Sequence, residues 1–272
     1  MQYIPGVMLA IVILLAFQPA HAAEKPLIFS TAPTHSVEVT RQIYTPIVRY
    51  LSGKTGKKII LEPAKNFIEY SNKFKKDYYD FVFDGPHFVG WRMTKYRHTP
   101  LVSLSGKINI VVVSNKDITV KDYHDLIGHR VCTFASPNML TMAFLEYYPN
   151  PARQPILITV KGFKALQQCL SHPGNYGAVL RDKMWNKIKD KKNIRIVLAP
   201  QRDYPERTIS ASSRVDTETR QKVIEALLHE DAKPHIHNLL ETFKTNGIVA
   251  ADPEEYEGLG LMLRHVWGFE LP

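Results

Sequence analysis

The stretch Asp80-Phe81-Val82-Phe83-Asp84-Gly85-Pro86-His87-Phe88 constrains this chain most. Its apolar, aromatic start predicts a strand. Gly-Pro then ends the strand and opens a helix, because proline's fixed φ suits the first helical position. A strand that hands over to a helix in this way is the unit of an open α/β sheet. Ligands of such sheets settle beyond the carboxyl ends of the strands. The turn should therefore aim the Asp84 carboxyl, the His87 imidazole and the Phe88 ring at one cleft.

The rest of the chain repeats this alternation. Residues 27–30, 58–62 and 79–83 read as strands, and 67–74 as a helix. Residues 37–51 show helical spacing of Val39, Ile43, Ile47 and Leu51, with Pro46 as a kink or a late start. This βαβαβ opening predicts a mostly parallel sheet covered by helices. Two extended segments follow, 100–105 and 108–114, the second strongly β-branched and read as the crossing into a second lobe. After a short helix at 122–127, strands are expected at 130–134, 156–160, 176–180 and 194–199, and helices at 138–147, 163–171 and 182–189. Residues 207–212 look like the return crossing, and the remainder (217–229, 234–245, 259–266) reads as helical. At 272 residues the chain is long enough for two such lobes. The first should be discontinuous, 23–113 with 208–272, and the second should span 114–207.

Residues 6–17 form an unbroken apolar run followed by Ala20-His21-Ala22, small residues at the spacing a signal peptidase reads. The run falls short of the roughly 20 residues that span a bilayer. A leader over residues 1–22, cleaved on export, is the expectation, and a retained anchor the alternative. The leader contains no charged side chain, so the net charge of +9 belongs to the mature chain and favours acidic partners. Export argues against nucleic acid. The basic clusters at 73–76 and 187–192 read as solvated helix faces.

The two cysteines, Cys132 and Cys169, form no CxxC motif, which argues against redox and zinc sites. One falls on an expected strand and the other on a helix that could cover it. A disulfide and two buried thiols are both open. His229, His235 and His237 are not spaced to share one helix face, so no metal site is expected. No GxSxG, HExxH, P-loop or GxGxxG occurs. No catalytic residue and no cofactor are therefore assigned.

Four segments together resemble the periplasmic substrate-binding proteins of the phosphate, phosphite and phosphonate type, which serve ABC importers. They are Tyr44-Thr45-Pro46-Ile47-Val48-Arg49-Tyr50-Leu51 with Gly56, the 79–88 stretch, Asp125-Leu126-Ile127-Gly128-His129-Arg130-Val131, and 247–251 with Tyr256. The resemblance implies a two-lobed α/β fold, each lobe a mostly parallel sheet flanked by helices, joined by a two-strand hinge. It also implies a ligand clamped between the lobes. The family's run of Ser and Thr after the first strand of the second lobe reads here Ser136-Pro137-Asn138-Met139-Leu140-Thr141, and its first-lobe pocket tyrosines are matched by Phe67 and Phe88. Several hydroxyl donors are thus replaced, which argues for a ligand larger or less oxygen-rich than phosphate.

The candidate ligand-binding residues are Thr34, His35, Ser36, Phe67, Asp84, His87, Phe88, Ser136, Asn138, Thr141 and Arg181. For several of them a plainer reading competes. Ser36, Thr34 or Asp84 could cap helices, Ser136 could cap a helix with Pro137 in its first turn, and Arg181 could form a surface ion pair. The expected function is capture of a small anionic solute by lobe closure, by a monomer working with an ABC permease. Alternatives are a ligand-presenting or degenerate relative acting on a membrane sensor, and, further off, an enzyme on the same scaffold.

Overall fold

The computed structural model describes residues 25–266, 268 and 269, so the expected leader lies outside the described residues. The chain begins with β1 (Leu27–Thr31), α1 (Val37–Thr55), β2 (Ile59–Leu61), α2 (Phe67–Phe74), β3 (Phe81–Asp84), α3 (Pro86–Tyr96) and β4 (Thr99–Leu104). A short β5 (Lys107–Ile108) leads to β6 (Ile110–Asn115), β7 (Arg130–Thr133), α4 (Met139–Leu145), β8 (Ile156–Thr159), α5 (Phe163–Leu170), β9 (Asn175–Arg181), α6 (Asp182–Lys187) and β10 (Ile194–Leu198). The return runs through β11 (Tyr204–Pro205) to β12 (Thr208–Ala211), α7 (Thr217–Leu228), α8 (Lys233–Phe243), β13 (Ile248–Ala250) and a 3₁₀ segment, Leu259–Leu263.

These elements build two sheets, one per lobe. The first has the order β13-β4-β12-β3-β1-β2 and the second β10-β6-β9-β7-β8. Both are mixed. Parallel pairs (β1 with β2 and β3, β7 with β8 and β9) come from successive βα units. Antiparallel pairs arise where the chain crosses between lobes and where β13 adds to the edge at β4. On its return β12 inserts between β3 and β4 against both, and β6 pairs antiparallel with β9 and β10. The crossing itself is the antiparallel pair β5 and β11, with Tyr204 opposite Ile108 and Pro205 opposite Lys107. Residues 110–115 lie wholly within the second sheet, whereas the sequence reading had placed the crossing over 108–114.

Local chemistry explains most boundaries. Ser36 caps α1 by accepting from the Val39 amide, and Gly56 ends it in the left-handed region at φ 70°. Pro46 neither breaks nor delays α1. It leaves the Gln42 carbonyl without its helical partner, and Asn238 of α8 donates to that oxygen at 3.0 Å. The last part of the chain departs from expectation twice. Residues 248–250, which lay between two expected helices and were assigned no element, form the edge strand β13 on β4. Three residues are too few to show a period of two. The expected helix at 259–266 is the 3₁₀ segment instead, and the short helix at 122–127 is likewise 3₁₀, Tyr123–Leu126. Gly260 presses against α3 so closely that an added Cβ would lie 2.7 Å from Trp91 Cα.

Helices α1, α7 and α8 cover one face of the first sheet over Phe29, Ile47, Leu51, Phe81 and Leu227. Tyr70, Phe74, Val82 and Trp91 pack on the other. In the second lobe Cys132 of β7 and Cys169 of α5 are joined in a disulfide with a sequence separation of 37. Of the two alternatives left open by the sequence, the structure selects the pair.

Candidate functional site

A cavity of about 640 Å³ opens between the lobes. It lies where β1, β3, β7, β8 and β9 end, as the strand-end rule requires. The first lobe contributes Ala32, Pro33 and Thr34 after β1, Phe67 at the start of α2, Gly85, His87 and Phe88 at the β3–α3 turn, and Phe243 at the end of α8. The second lobe contributes Phe134 to Leu140, Lys161 after β8, Arg181, and Met184 of α6. The connecting segments add Ile108, Glu206 and Arg207. Aromatic and aliphatic side chains dominate, with a few convergent polar groups, as in small-molecule sites generally.

His87 is 2% exposed, and its Nε2 lies 2.8 Å from the Pro137 carbonyl of the other lobe. A carbonyl only accepts, so Nε2 carries the proton. That leaves Nδ1 as the acceptor of a neutral ring, buried and without a partner among the described residues. Burial chiefly pushes the imidazole down to about 4. The Arg207 charge works in the same direction, and the Pro137 carbonyl opposes it.

Asp84 is turned away from the cavity. Its carboxylate, fully buried, sits 3.0 Å from Arg92 Nη1, accepts from the Tyr70 hydroxyl, and accepts from the Ala32 amide at 3.3 Å. Arg92 donates to the same Tyr70 oxygen at 2.9 Å, and its guanidinium lies 3.6 Å from the Phe74 ring centre. This network consumes the acid. No bond joins Asp84 to His87 among the described residues, and α3 starts from Gly85 without a side-chain cap.

The remaining expected residues divide. Thr34, Phe67, Phe88, Ser136, Asn138 and Arg181 line the cavity. The Phe67 and Phe88 ring centres are 6.1 Å apart. His35 is outside the lining and packs its ring 6.2 Å from Phe243, its pKa lowered by burial and by Arg207. Ser36 is spent on the α1 cap. Thr141 is fully buried, donating to the Phe134 carbonyl at 2.6 Å and meeting Thr133 Oγ1 at 2.8 Å. The cap of α4 is Asn138, which accepts from the Leu140 amide at 3.0 Å, so the helix starts at Met139 and Ser136 is not its cap. Arg181 donates to Glu206 Oε1 at 2.6 Å and to the Lys107 carbonyl at 3.2 Å, which ties β9 to both connecting segments.

Sequence reasoning missed Arg207, Lys161, Glu206, Phe134 and Phe243. The strand-end rule would have found Phe134 and Lys161. Arg207 stood at the head of the expected return crossing. Phe243 carried no signal, because the end of a C-terminal helix reaches the cavity only through the tertiary fold. The Arg207 guanidinium lies 5.0 Å from the Phe243 ring centre, and no carboxylate pairs with Arg207 or Lys161 among the described residues. Three cationic side chains thus face one acid, Glu206. No group of His, Cys, Asp and Glu among the described residues could hold a metal ion.

Comparison with known proteins follows the fold. The family model described as ABC transporter, phosphonate, periplasmic substrate-binding protein matches residues 29–256. No curated protein matches in sequence. Among solved structures, XAC2383 from Xanthomonas citri bound to ATP is similar with a TM-score of 0.69 at 14% identity, over 88% of this chain and 97% of that one. PhnD1 from Prochlorococcus marinus in complex with methylphosphonate gives 0.62 at 15%, over 88% and 97%. A binding-protein component of an ABC phosphonate transporter from Pseudomonas aeruginosa gives 0.56 at 11%, over 86% and 84%.

Proposed function

Because the chain belongs to the phosphonate-type periplasmic substrate-binding proteins of ABC transporters, we propose that it captures a small anionic solute between its lobes and delivers it to an ABC permease. The observation that carries this reading is the charge of the cavity. Lys161 and Arg207 face it with no carboxylate partner among the described residues, and Arg181 shares Glu206 with Lys183. An anion would supply the missing partner, in charge-assisted bonds stronger than neutral ones.

Capture works through closure of the lobes about β5 and β11. One contact already spans the lobes, His87 to Pro137, and Arg181 to Glu206 ties the second lobe to the connecting segment. A ligand that engages Arg207 on the connecting segment and Lys161 on the second lobe favours the closed state by its differential contacts. Turnover is not part of this reading. Ser136 and His87 both line the cavity, yet the hydroxyl points to Met142 Sδ at 3.9 Å and the imidazole to Pro137, so this hydroxyl does not meet this base. Export through the leader and action as a monomer complete the proposal.

Calorimetric titration of the purified protein with methylphosphonate, phenylphosphonate and inorganic phosphate tests it. The expected result is saturable binding of at least one of them. It weakens between 50 mM and 500 mM salt and falls about tenfold or more in Arg207→Gln. Absence of saturable binding of all three, or consumption of the solute, overturns it.

A further inference from the structure

We infer that the solute is an anion that also carries a flat aromatic or heteroaromatic ring, with the ring among Phe67, Phe88 and Phe134 and the anionic group at Arg207. This rests on the anion-capture reading and identifies the other half of the ligand. Size is the first argument. At about 640 Å³ the cavity has room for on the order of twenty waters. A bare alkylphosphonate or phosphate would leave most of that space as water lying against phenylalanine.

The second argument is where the apolar surface lies. Phe67 and Phe134 come from opposite lobes, both line the cavity, and both are only half-buried. Phe88 lies 6.1 Å from Phe67, and the His87 ring lies 4.3 Å from Phe88, so the first-lobe wall is a run of rings. Ring against ring is favoured beyond simple area burial. Neutral hydroxyl donors for an oxyanion, by contrast, are few here. Thr34 and Ser136 offer hydroxyls and Asn138 its side-chain N–H groups, the Asn138 oxygen being held by the Leu140 amide, and the other side-chain donors of the lining, His87 apart, are cationic. The guanidinium of Arg207, lying on Phe243, is the strongest anion partner available.

The third argument is His87 Nδ1, an acceptor buried at the cavity wall without a donor among the described residues. A ring N–H or an exocyclic amine satisfies it, and the oxygens of a fully ionised oxyanion do not. The polar end and the aromatic wall thus call for one molecule with two parts.

The test compares three probes by calorimetry on the purified protein: phenylphosphonate, methylphosphonate and the neutral ring compound benzyl alcohol. The expected result is phenylphosphonate at least about tenfold tighter than methylphosphonate. Benzyl alcohol should be weaker than phenylphosphonate by a similar factor. In Phe67→Leu/Phe134→Leu the ratio of phenylphosphonate to methylphosphonate affinity shrinks toward unity. Thermal unfolding of the variant checks its fold. Equal or tighter binding of methylphosphonate overturns the ring and leaves anion capture standing. Benzyl alcohol as tight as phenylphosphonate overturns the anionic part, and no binding of any probe, nor of inorganic phosphate, overturns both readings.

Discussion

Asp84 and Arg92 are the residues whose chemistry the fold uses most fully. Both are buried, and each is the other's counter-charge beneath the cavity wall. Breaking such a pair by removing one partner leaves a buried charge uncompensated. Arg92→Met and Asp84→Asn should each lower stability by about 3–5 kcal/mol in urea unfolding, whereas anion affinity per folded molecule should change little. The histidines carry the pH response. His87 and His98 are both held to about 4 chiefly by burial, against 6.5 for an unfolded imidazole. Between those values the unfolded chain binds more protons, so stability rises with pH across the window. The stabilising effect is complete above pH 6.5 and is lost as pH falls toward 4. Thermal unfolding at pH 4.5 should therefore come well below that at pH 7.5, and His87→Phe should flatten the difference. At this scale residue types at strand ends were legible in the sequence, but their orientation was not. Asp84 and His87 are three residues apart on one turn, and only packing decides that one faces Arg92 and the other Pro137.

Helix α2 falls where the sequence places it, Phe67–Phe74, and in the structure Asn66 caps it by accepting from the Glu69 amide. Strand β13 was not legible in the sequence, since an edge of three residues derives its identity from β4. The clip between β7 and α5 could not be settled by spacing, because pairing needs a specific Cα separation, here 6.0 Å. Closing a loop of 37 residues by chain entropy stabilises by about 3–4 kcal/mol. Cys132→Ala/Cys169→Ala should show a loss of that order, and wild-type protein unfolded in reductant should show the same. The contact of α3 with the 3₁₀ segment is set by glycine. A Cβ at Gly90 would meet the Tyr256 carbonyl at 2.5 Å and the Gly260 amide at 2.9 Å, both backbone atoms. Gly90→Ala should therefore destabilise by about 1–3 kcal/mol, read by thermal unfolding, although alanine is the better helix former.

At the scale of the molecule, the cavity exists only because two sheets present their strand ends to each other across β5 and β11. Ligand should shift the lobes toward closure. Small-angle scattering should show a smaller radius of gyration with a saturating anion than without it. Glu206 is the one acid among the described lining residues and holds Arg181. Glu206→Gln should raise anion affinity at low salt, with the gain shrinking at high salt as screening takes over, which calorimetry at two ionic strengths would read. By itself the sequence determined the alternation of strands and helices, the two-lobed plan, and the segments that reach the cleft. These follow from periodicity, turn residues and strand-end geometry, which are local properties of the chain. The tertiary structure alone decided that Asp84 is spent on Arg92, that Thr141 is buried in packing, and that Arg207 and Phe243 enter the cavity. Those outcomes depend on which side chains meet across elements far apart in sequence, and no local pattern encodes such meetings.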